Sequence, residues 1–409
     1  MRTKPKIIYF IFLLGLALRL ALVFVVPPFA GPDEQCHYDY VKYLVENKSL
    51  PVDVYQDAHY EYFQAPLYYL TLTPLYALAE AQSPAFRLYL LRLFNFLLAA
   101  AILWLGYLIL ERTFPGADSL IAGGLAFAAW HPVYVRNSVC INNDNLAALI
   151  SAVLLYFLTN KDLIRKQFNK YAAIGLLWGL GVLAKTSLLA FAPLILFSAY
   201  RDGGSGPFKI KGRKGAVLFL LASAIAVLTC GFWLIRNQAL YGNLMGMGPY
   251  WPRPGAPFAP AFQLASLKHT WVSFWRSFDQ GGESGIWNIF KYIWLILTAG
   301  AGAGWVRWIL ARDKRVLLER HPGLSNQIIL WLSFYAAGWL FGVRYGKGFH
   351  GFFDGRFLFA VMIPAGALFA YGLELLVPGT LKKHFWTAWA LLLPLNAGLL
   401  LLTMLKIIR

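Results

Sequence analysis

The chain has 409 residues, 59% of them hydrophobic and only 14% charged, with a mean hydropathy of +0.55. A soluble domain carries about 25% charged residues, so most of this chain belongs in lipid. The net charge of +18 does not point to nucleic acid: Lys and Arg gather in short loops that alternate along the chain, the positive-inside pattern of a polytopic membrane protein.

Apolar runs long enough to span a bilayer define the expected elements. MRTKPK precedes the first span, Ile7–Val26, which reads as a retained signal anchor with a cytoplasmic N-terminus. A first external loop, residues 27–84, follows. It carries an amphipathic helix over Asp33–Lys48, with apolar positions at Tyr40, Val41, Leu44 and Val45, and a short Pro-rich apolar stretch, Pro66–Ala79. Both are expected to lie on or dip into the membrane interface. Leu88–Leu110, Leu120–Val135 and Asn145–Leu158 are the next spans. Tyr171–Tyr200 is read as two short helices meeting near Lys185, because one long helix would put the basic loop at Lys209, Lys211, Arg213 and Lys214 outside. Gly215–Ile235 leads into a large external loop, residues 236–285. Ile286–Leu310, Asn326–Val343, Arg356–Val377 and Phe385–Met404 complete an all-α polytopic protein of about 11 transmembrane helices. One transmembrane domain over residues 1–409, with no separate soluble domain, is expected.

In this topology most of the 19 acidic residues fall outside. Acids count little toward orientation, so their outer location points to function or solvation. Asp33 and Glu34 stand side by side behind Pro32, where the chain leaves the first span. Asp33 can cap the helix that follows, or serve as a general base toward an acceptor hydroxyl or amine. Asp144 lies in the polar turn NSVCINNDNL, with Asn137, Asn142, Asn143 and Asn145 around it. Lys185 interrupts an apolar stretch, and an ionisable group at membrane depth is a functional candidate by default. Arg92, Arg236 and Arg356 mark outer ends of spans, where arginines can bind phosphate oxygens or anchor the interface. His37, His59, His131, His269 and His350 are also expected outside. A divalent cation held by Asp33, Glu34 or Asp144 stays open. Among the three cysteines, Cys36 and Cys140 share a side and allow a disulfide in an oxidising compartment.

PDEQCHYDYVKYLVENKSLPV, YFQAPLYYLTLTPLY, RLFNFLL, INNDNLAALISAVLLYF, GLLWGLGVLAKTSLL, WLIRNQALYGN and GRFLFAVMIPAGAL follow one another along the chain. In this order they resemble the GT-C superfamily of integral-membrane glycosyltransferases, whose members include protein O-mannosyltransferases and aminoarabinose transferases of lipid A. The loop reads QAP where those relatives more often have QPP. The resemblance implies a donor sugar on a polyprenyl phosphate and an unknown glycan, lipid or protein acceptor, with no nucleic acid as partner. The site would face outward from the plasma (inner) membrane. Asp33 and Glu34 match the catalytic acids of the first loop. Asp144, Lys185, Arg92, Arg236, Arg356, His37 and Tyr68 form the expected substrate- and phosphate-binding set. A transporter or flippase of lipid-linked sugars, or a non-catalytic scaffold of the same fold, remains the alternative.

Overall fold

The computed structural model describes residues 6–52, 61–160, 163–164, 166–204, 212–246, 264–275, 285–310, 318–345, 354–382, 386, 395 and 398. His59, His350 and most of the expected last span, Phe385–Met404, lie outside the described residues. The described residues are helical, with turns between: α1 (Lys6–Val25), α2 (Glu34–Asn47), α3 (Leu67–Leu78), α4 (Pro84–Thr113), α5 (Asp118–Trp130), α6 (Pro132–Asn137), α7 (Asp144–Thr159), α8 (Gln167–Ala184), α9 (Ala192–Gly203), α10 (Gly212–Tyr241), α11 (Leu264–Trp275), α12 (Gly285–Leu310), α13 (Leu324–Tyr345) and α14 (Met362–Leu376). Five described segments are long and apolar enough to cross a bilayer: α1, α4, α10, Tyr292–Leu310 within α12, and Gly355–Leu376. The protein is a multi-pass integral membrane protein.

Breaks in the helices expose backbone groups, and side chains meet them. The expected span Leu120–Val135 stops at Trp130, because Pro132 has no N–H for the Ala128 carbonyl four residues before it. Arg19, buried in α1, donates to Ala128 O at 3.0 Å, to Ala129 O at 2.6 Å and to Ser138 Oγ at 3.0 Å. Pro74 sits inside α3 and cannot serve the Leu70 carbonyl; the Thr73 hydroxyl does, at 2.9 Å. The two short helices expected around Lys185 are present. α8 ends at Ala184, Lys185 is extended, and a 3-10 segment, Thr186–Phe191, leads into α9. Trp178 Nε1 pins this break by donating to Leu188 O at 2.9 Å.

Helix contacts use small residues, as close packing in lipid requires. A Cβ on Gly175 of α8 would come within 2.5 Å of the Ala222 carbonyl of α10. The two helices of the first loop, α2 and α3, bury their apolar faces against each other and the bundle. Tyr40, Val41 and Leu44 of α2 are buried, and Tyr40 stacks on Tyr69 of α3 with ring centroids 3.8 Å apart. At the C-terminal end of α10, Arg236 donates to Pro51 O at 2.6 Å and the Tyr241 hydroxyl donates to Val52 O at 2.9 Å. The first loop is thus tied to a distant span.

The turn between α1 and α2 is fixed by one side chain. All five N–H groups of Arg92 have acceptors: Nε to Glu34 Oε1 at 2.9 Å, Nη1 to Val23 O and Val26 O at 3.2 and 2.6 Å, and Nη2 to Pro27 O and Glu34 Oε2 at 2.9 and 2.7 Å. Both side chains are fully buried. Removing one partner of such a pair costs about 3–5 kcal/mol. Arg92→Met is therefore expected to lower the thermal midpoint of the detergent-solubilised chain markedly. Arg92→Lys should not restore it, since an ammonium brings three donors where five are engaged. A midpoint unchanged in either variant would contradict this role.

Candidate active site

The turn controlled by Arg92 delivers Asp33. Phe29 and Asp33 both adopt left-handed backbone, with φ of 58° and 56°, an uncommon conformation for residues other than glycine. Gly31 between them lies against Cys140, where a Cβ would come within 2.7 Å of Cβ and Sγ. Arg136 donates to the Ala30 carbonyl. Cys36 and Cys140 are not bridged, so the disulfide allowed by the sequence is not formed.

Asp33 stands at the N-terminus of α2 but makes no side-chain capping bond. Its Oδ2 meets Arg356 Nη1 at 2.5 Å instead. Arg356 is positioned by the 3-10 segment Gly355–Val361, which Asp354 caps by accepting from the Arg356 backbone N–H at 2.9 Å. Ser273 of α11 holds the same turn, its Oγ accepting from Gly355 N at 2.8 Å. A second ion pair lies nearby: Lys185 Nζ to Asp144 Oδ1 at 2.5 Å. Its extended backbone at the helix break places Lys185 there. Asn145 anchors the turn of Asp144 by donating to Cys140 O at 2.9 Å. The two pairs differ in access. Asp33 and Arg356 side chains are 24% and 30% exposed, whereas Asp144 and Lys185 are 9% and 11% exposed. The first can exchange partners with a substrate at smaller desolvation cost.

His37 stands among these charges. It shares a 2.8 Å hydrogen bond, through Nδ1, with the Tyr69 hydroxyl. Burial pushes its imidazole down to about 4, with Asp33 and Asp144 opposing and Lys185 and Arg356 adding to the depression. His37 is neutral at neutral pH. Glu61 is buried in the same field, with Asp33, Arg356 and Lys185 acting on it. Gln64 follows, its Oε1 accepting from Asn143 Nδ2 at 3.1 Å.

Of the residues expected from sequence, Asp33, His37, Asp144, Lys185 and Arg356 come together. Four others do not join them in the expected roles. Glu34 is no free catalytic acid: both its oxygens bind Arg92, and they also accept from Ile141 N at 3.0 Å and Gly31 N at 3.3 Å. Arg92 has no N–H left for a phosphate. Tyr68 is fully buried and donates to Asn95 Oδ1 at 3.1 Å. Arg236 is turned to Pro51 and packs over Trp233 at 4.7 Å. His131, expected in water, is buried beside Phe127, Phe274, Trp275 and Phe359. Sequence reading did not single out Glu61, Gln64 or Tyr69 beside this cluster, whereas Asn143 was visible in the polar turn around Asp144. The only signal for the first three was their closeness to quoted motifs.

The expected divalent cation fits poorly. Asp33 and Asp144 each hold a cationic side chain, and Glu34 is saturated by N–H donors. Among the described residues no three of His, Cys, Asp and Glu converge to hold a metal.

Residues 65–233 match the family of dolichyl-phosphate-mannose-protein mannosyltransferases. ArnT from Cupriavidus metallidurans, solved bound to undecaprenyl phosphate, superposes with a TM-score of 0.57 at 14% identity, over 97% of this chain and 70% of that one. The chain has the GT-C fold. The Archaeoglobus fulgidus oligosaccharyltransferase shares it, with a TM-score of 0.54 at 13% identity over 97% of this chain and 55% of that one. The same enzyme, AglB, solved with an inhibitory peptide and a dolichol-phosphate, gives 0.53 at 13% identity. This chain thus spans just over half the length of the archaeal enzyme. No curated protein sequence matches it. The polar cluster is assembled from the first loop, the start of α7, the α8 break and the turn before α14.

His37 sets a stability window. Its pKa is lowered from 6.5 to about 4 on folding. The unfolded chain therefore binds the extra proton between those values, and folding stability falls as pH drops through that window. His37→Gln should flatten part of this acid loss, read as thermal midpoint against pH. An identical slope in wild type and variant would contradict a buried neutral His37.

Proposed function

We propose that the protein is an inverting glycosyltransferase that moves a sugar from a polyprenyl-phosphate carrier to an acceptor at the extracytoplasmic face of the inner membrane. The observation that supports this most is the Asp33–Arg356 pair: a carboxylate on left-handed backbone, left uncapped and partly open, beside the Lys185–Asp144 pair in a GT-C fold. The undecaprenyl phosphate bound by ArnT and the dolichol-phosphate bound by AglB favour a lipid phosphate as the carrier here too.

In this reading Asp33 takes the proton of the acceptor hydroxyl or amine as that atom attacks the anomeric carbon. The lipid phosphate leaves from the opposite face. Arg356 and Lys185 stabilise the charge gathering on it; both are polarised by carboxylates that the phosphate can replace. The phosphate leaves as an anion and needs no acid, so the paired acid and base of a glycosidase are not required. Asp144 aims Lys185. His37, being neutral, offers a hydrogen bond without adding a cation. Glu34 and Arg92 act as positioning residues through the turn that carries Asp33. The basic loops then face the cytoplasm.

Two measurements test this. Asp33→Asn, assayed with radiolabelled polyprenyl-phosphate sugars and cell-envelope extract, should reduce transfer at least about 100-fold while the chain stays folded and binds the donor. Product analysis by NMR should give the anomer opposite to the donor's. Full activity in the variant would remove Asp33 from the role. Labelled lipid that crosses sealed vesicles without sugar transfer would favour a flippase instead.

A further inference from the structure

Tyr69 is the one hydrogen-bond partner of the His37 ring among the described residues, and the mechanism above gives it no part. Its hydroxyl lies 2.8 Å from His37 Nδ1, with the two rings stacked and their centroids 5.8 Å apart. Packing fixes that hydroxyl. Tyr69 is fully buried on α3, stacked on Tyr40 with centroids 3.8 Å apart and edge-on to Tyr68 at 5.4 Å. Both neighbours are tethered in turn, Tyr68 to Asn95 Oδ1 at 3.1 Å and Tyr40 to Gln64 O at 3.3 Å. His37 is also fixed through its backbone. It stands one helical turn after Asp33, its N–H bonded to the Asp33 carbonyl at 3.0 Å. Residues so spaced share a helix face, so the ring and the Asp33 carboxylate belong to one side of α2.

The direction of the 2.8 Å bond follows from what each atom would lose. A neutral imidazole donates from one nitrogen and accepts at the other. With the hydrogen on Nδ1, the Tyr69 oxygen would accept it, and the phenol's own O–H would be buried with no acceptor among the described residues. Stranding a buried donor costs more than a hydrogen bond gains. When Tyr69 donates instead, its O–H and Nδ1 are both satisfied, and the ring carries its hydrogen on Nε2. The difference decides what His37 can do. A bare Nε2 would be a base one turn from Asp33, competing for the acceptor's proton. A protonated Nε2 takes no proton and donates to an anionic oxygen.

We propose that Tyr69 is a positioning residue of the transferase site: it holds His37 as the Nε2–H tautomer, so that His37 donates to a phosphate oxygen of the lipid carrier and leaves proton abstraction to Asp33. This rests on the transferase reading and deepens it. Neither residue makes or breaks a covalent bond, and the hydrogen on Nε2 stays there throughout. The N–H joins Lys185 and Arg356 as charge gathers on the phosphate. The plainer role for Tyr69 is packing of α3 on α2, in which its hydroxyl is indifferent to the ligand.

The test measures binding of undecaprenyl phosphate to the full chain in lipid nanodiscs. Tyr69→Phe keeps the stacked ring and removes only the hydroxyl. His37→Gln places an amide N–H near the position of Nε2, and His37→Asn near that of Nδ1. Affinity should fall about fivefold in Tyr69→Phe and about tenfold in His37→Asn, while His37→Gln, the conservative variant, stays within about threefold of wild type. In the His37→Gln background, Tyr69→Phe should add no further loss, since an amide has no tautomer to hold. Solid-state NMR with isotope-labelled histidine, the His37 signals being those missing from His37→Gln, should place the hydrogen on Nε2 in wild type. A hydrogen on Nδ1 overturns the proposal. So does a Tyr69→Phe affinity equal to wild type, or a loss as large in the His37→Gln background, which would make Tyr69 a packing residue. Wild type that binds the lipid phosphate yet transfers no sugar from any polyprenyl-phosphate donor overturns the transferase reading alone, and the tautomer and affinity pattern then stand without it. Wild type that does not bind undecaprenyl phosphate overturns both.

Discussion

The Arg92–Glu34 pair is the contact on which the candidate site depends. Arg92 binds the last carbonyls of α1 and the first of the turn, while Glu34 binds that turn and the chain at Ile141. One buried pair thereby joins α1, α2, α4 and the loop before α7. Burying two charges gains little by itself. What it provides is geometry: with every donor and both carboxylate oxygens engaged, Asp33 has one place to be. The left-handed backbone at Phe29 and Asp33 persists because the surroundings over-determine it.

Around that anchor the charges divide by accessibility. The closed pair, Asp144–Lys185, sits at a helix break that Trp178 pins through the Leu188 carbonyl. The open pair, Asp33–Arg356, joins the first loop to the turn before the last described apolar segment. In the proposed function, a substrate phosphate would meet cations already fixed in place, so little reorganisation would be needed. Neutral His37 and buried Glu61, which has no ion pair among the described residues, lie near these two pairs.

Much of this was legible in the chain. Apolar runs located the spans. The demand that basic loops return to one side split Tyr171–Tyr200 at Lys185, and the structure breaks there. Asp33 was visible as an acid at a span exit. Its alternative role as a helix cap was resolved only by the side-chain direction. Partner choice was not legible, because it depends on which elements meet. Arg92 and Arg356 look alike in sequence, each an arginine near an outer helix end. Folding gives Arg92 a carboxylate and three carbonyls, and gives Arg356 a partly exposed ion pair with Asp33. Glu61 was invisible for the same reason: nothing in YEYFQAP shows that its carboxyl will be buried without a cation. What the sequence did not show for α2 and α3 is that their aromatic faces pack on each other, Tyr40 on Tyr69.

The central claim is that a lipid phosphate binds between Lys185 and Arg356. A cryo-electron microscopy structure of the chain in nanodiscs with undecaprenyl phosphate tests it most directly. The account predicts phosphate oxygens within hydrogen-bonding distance of Lys185 Nζ and the Arg356 guanidinium, with the Arg92–Glu34 pair unmoved. Phosphate density at Arg236, or along the basic loop Lys209–Lys214, with Lys185 and Arg356 still closed on their carboxylates, would contradict it.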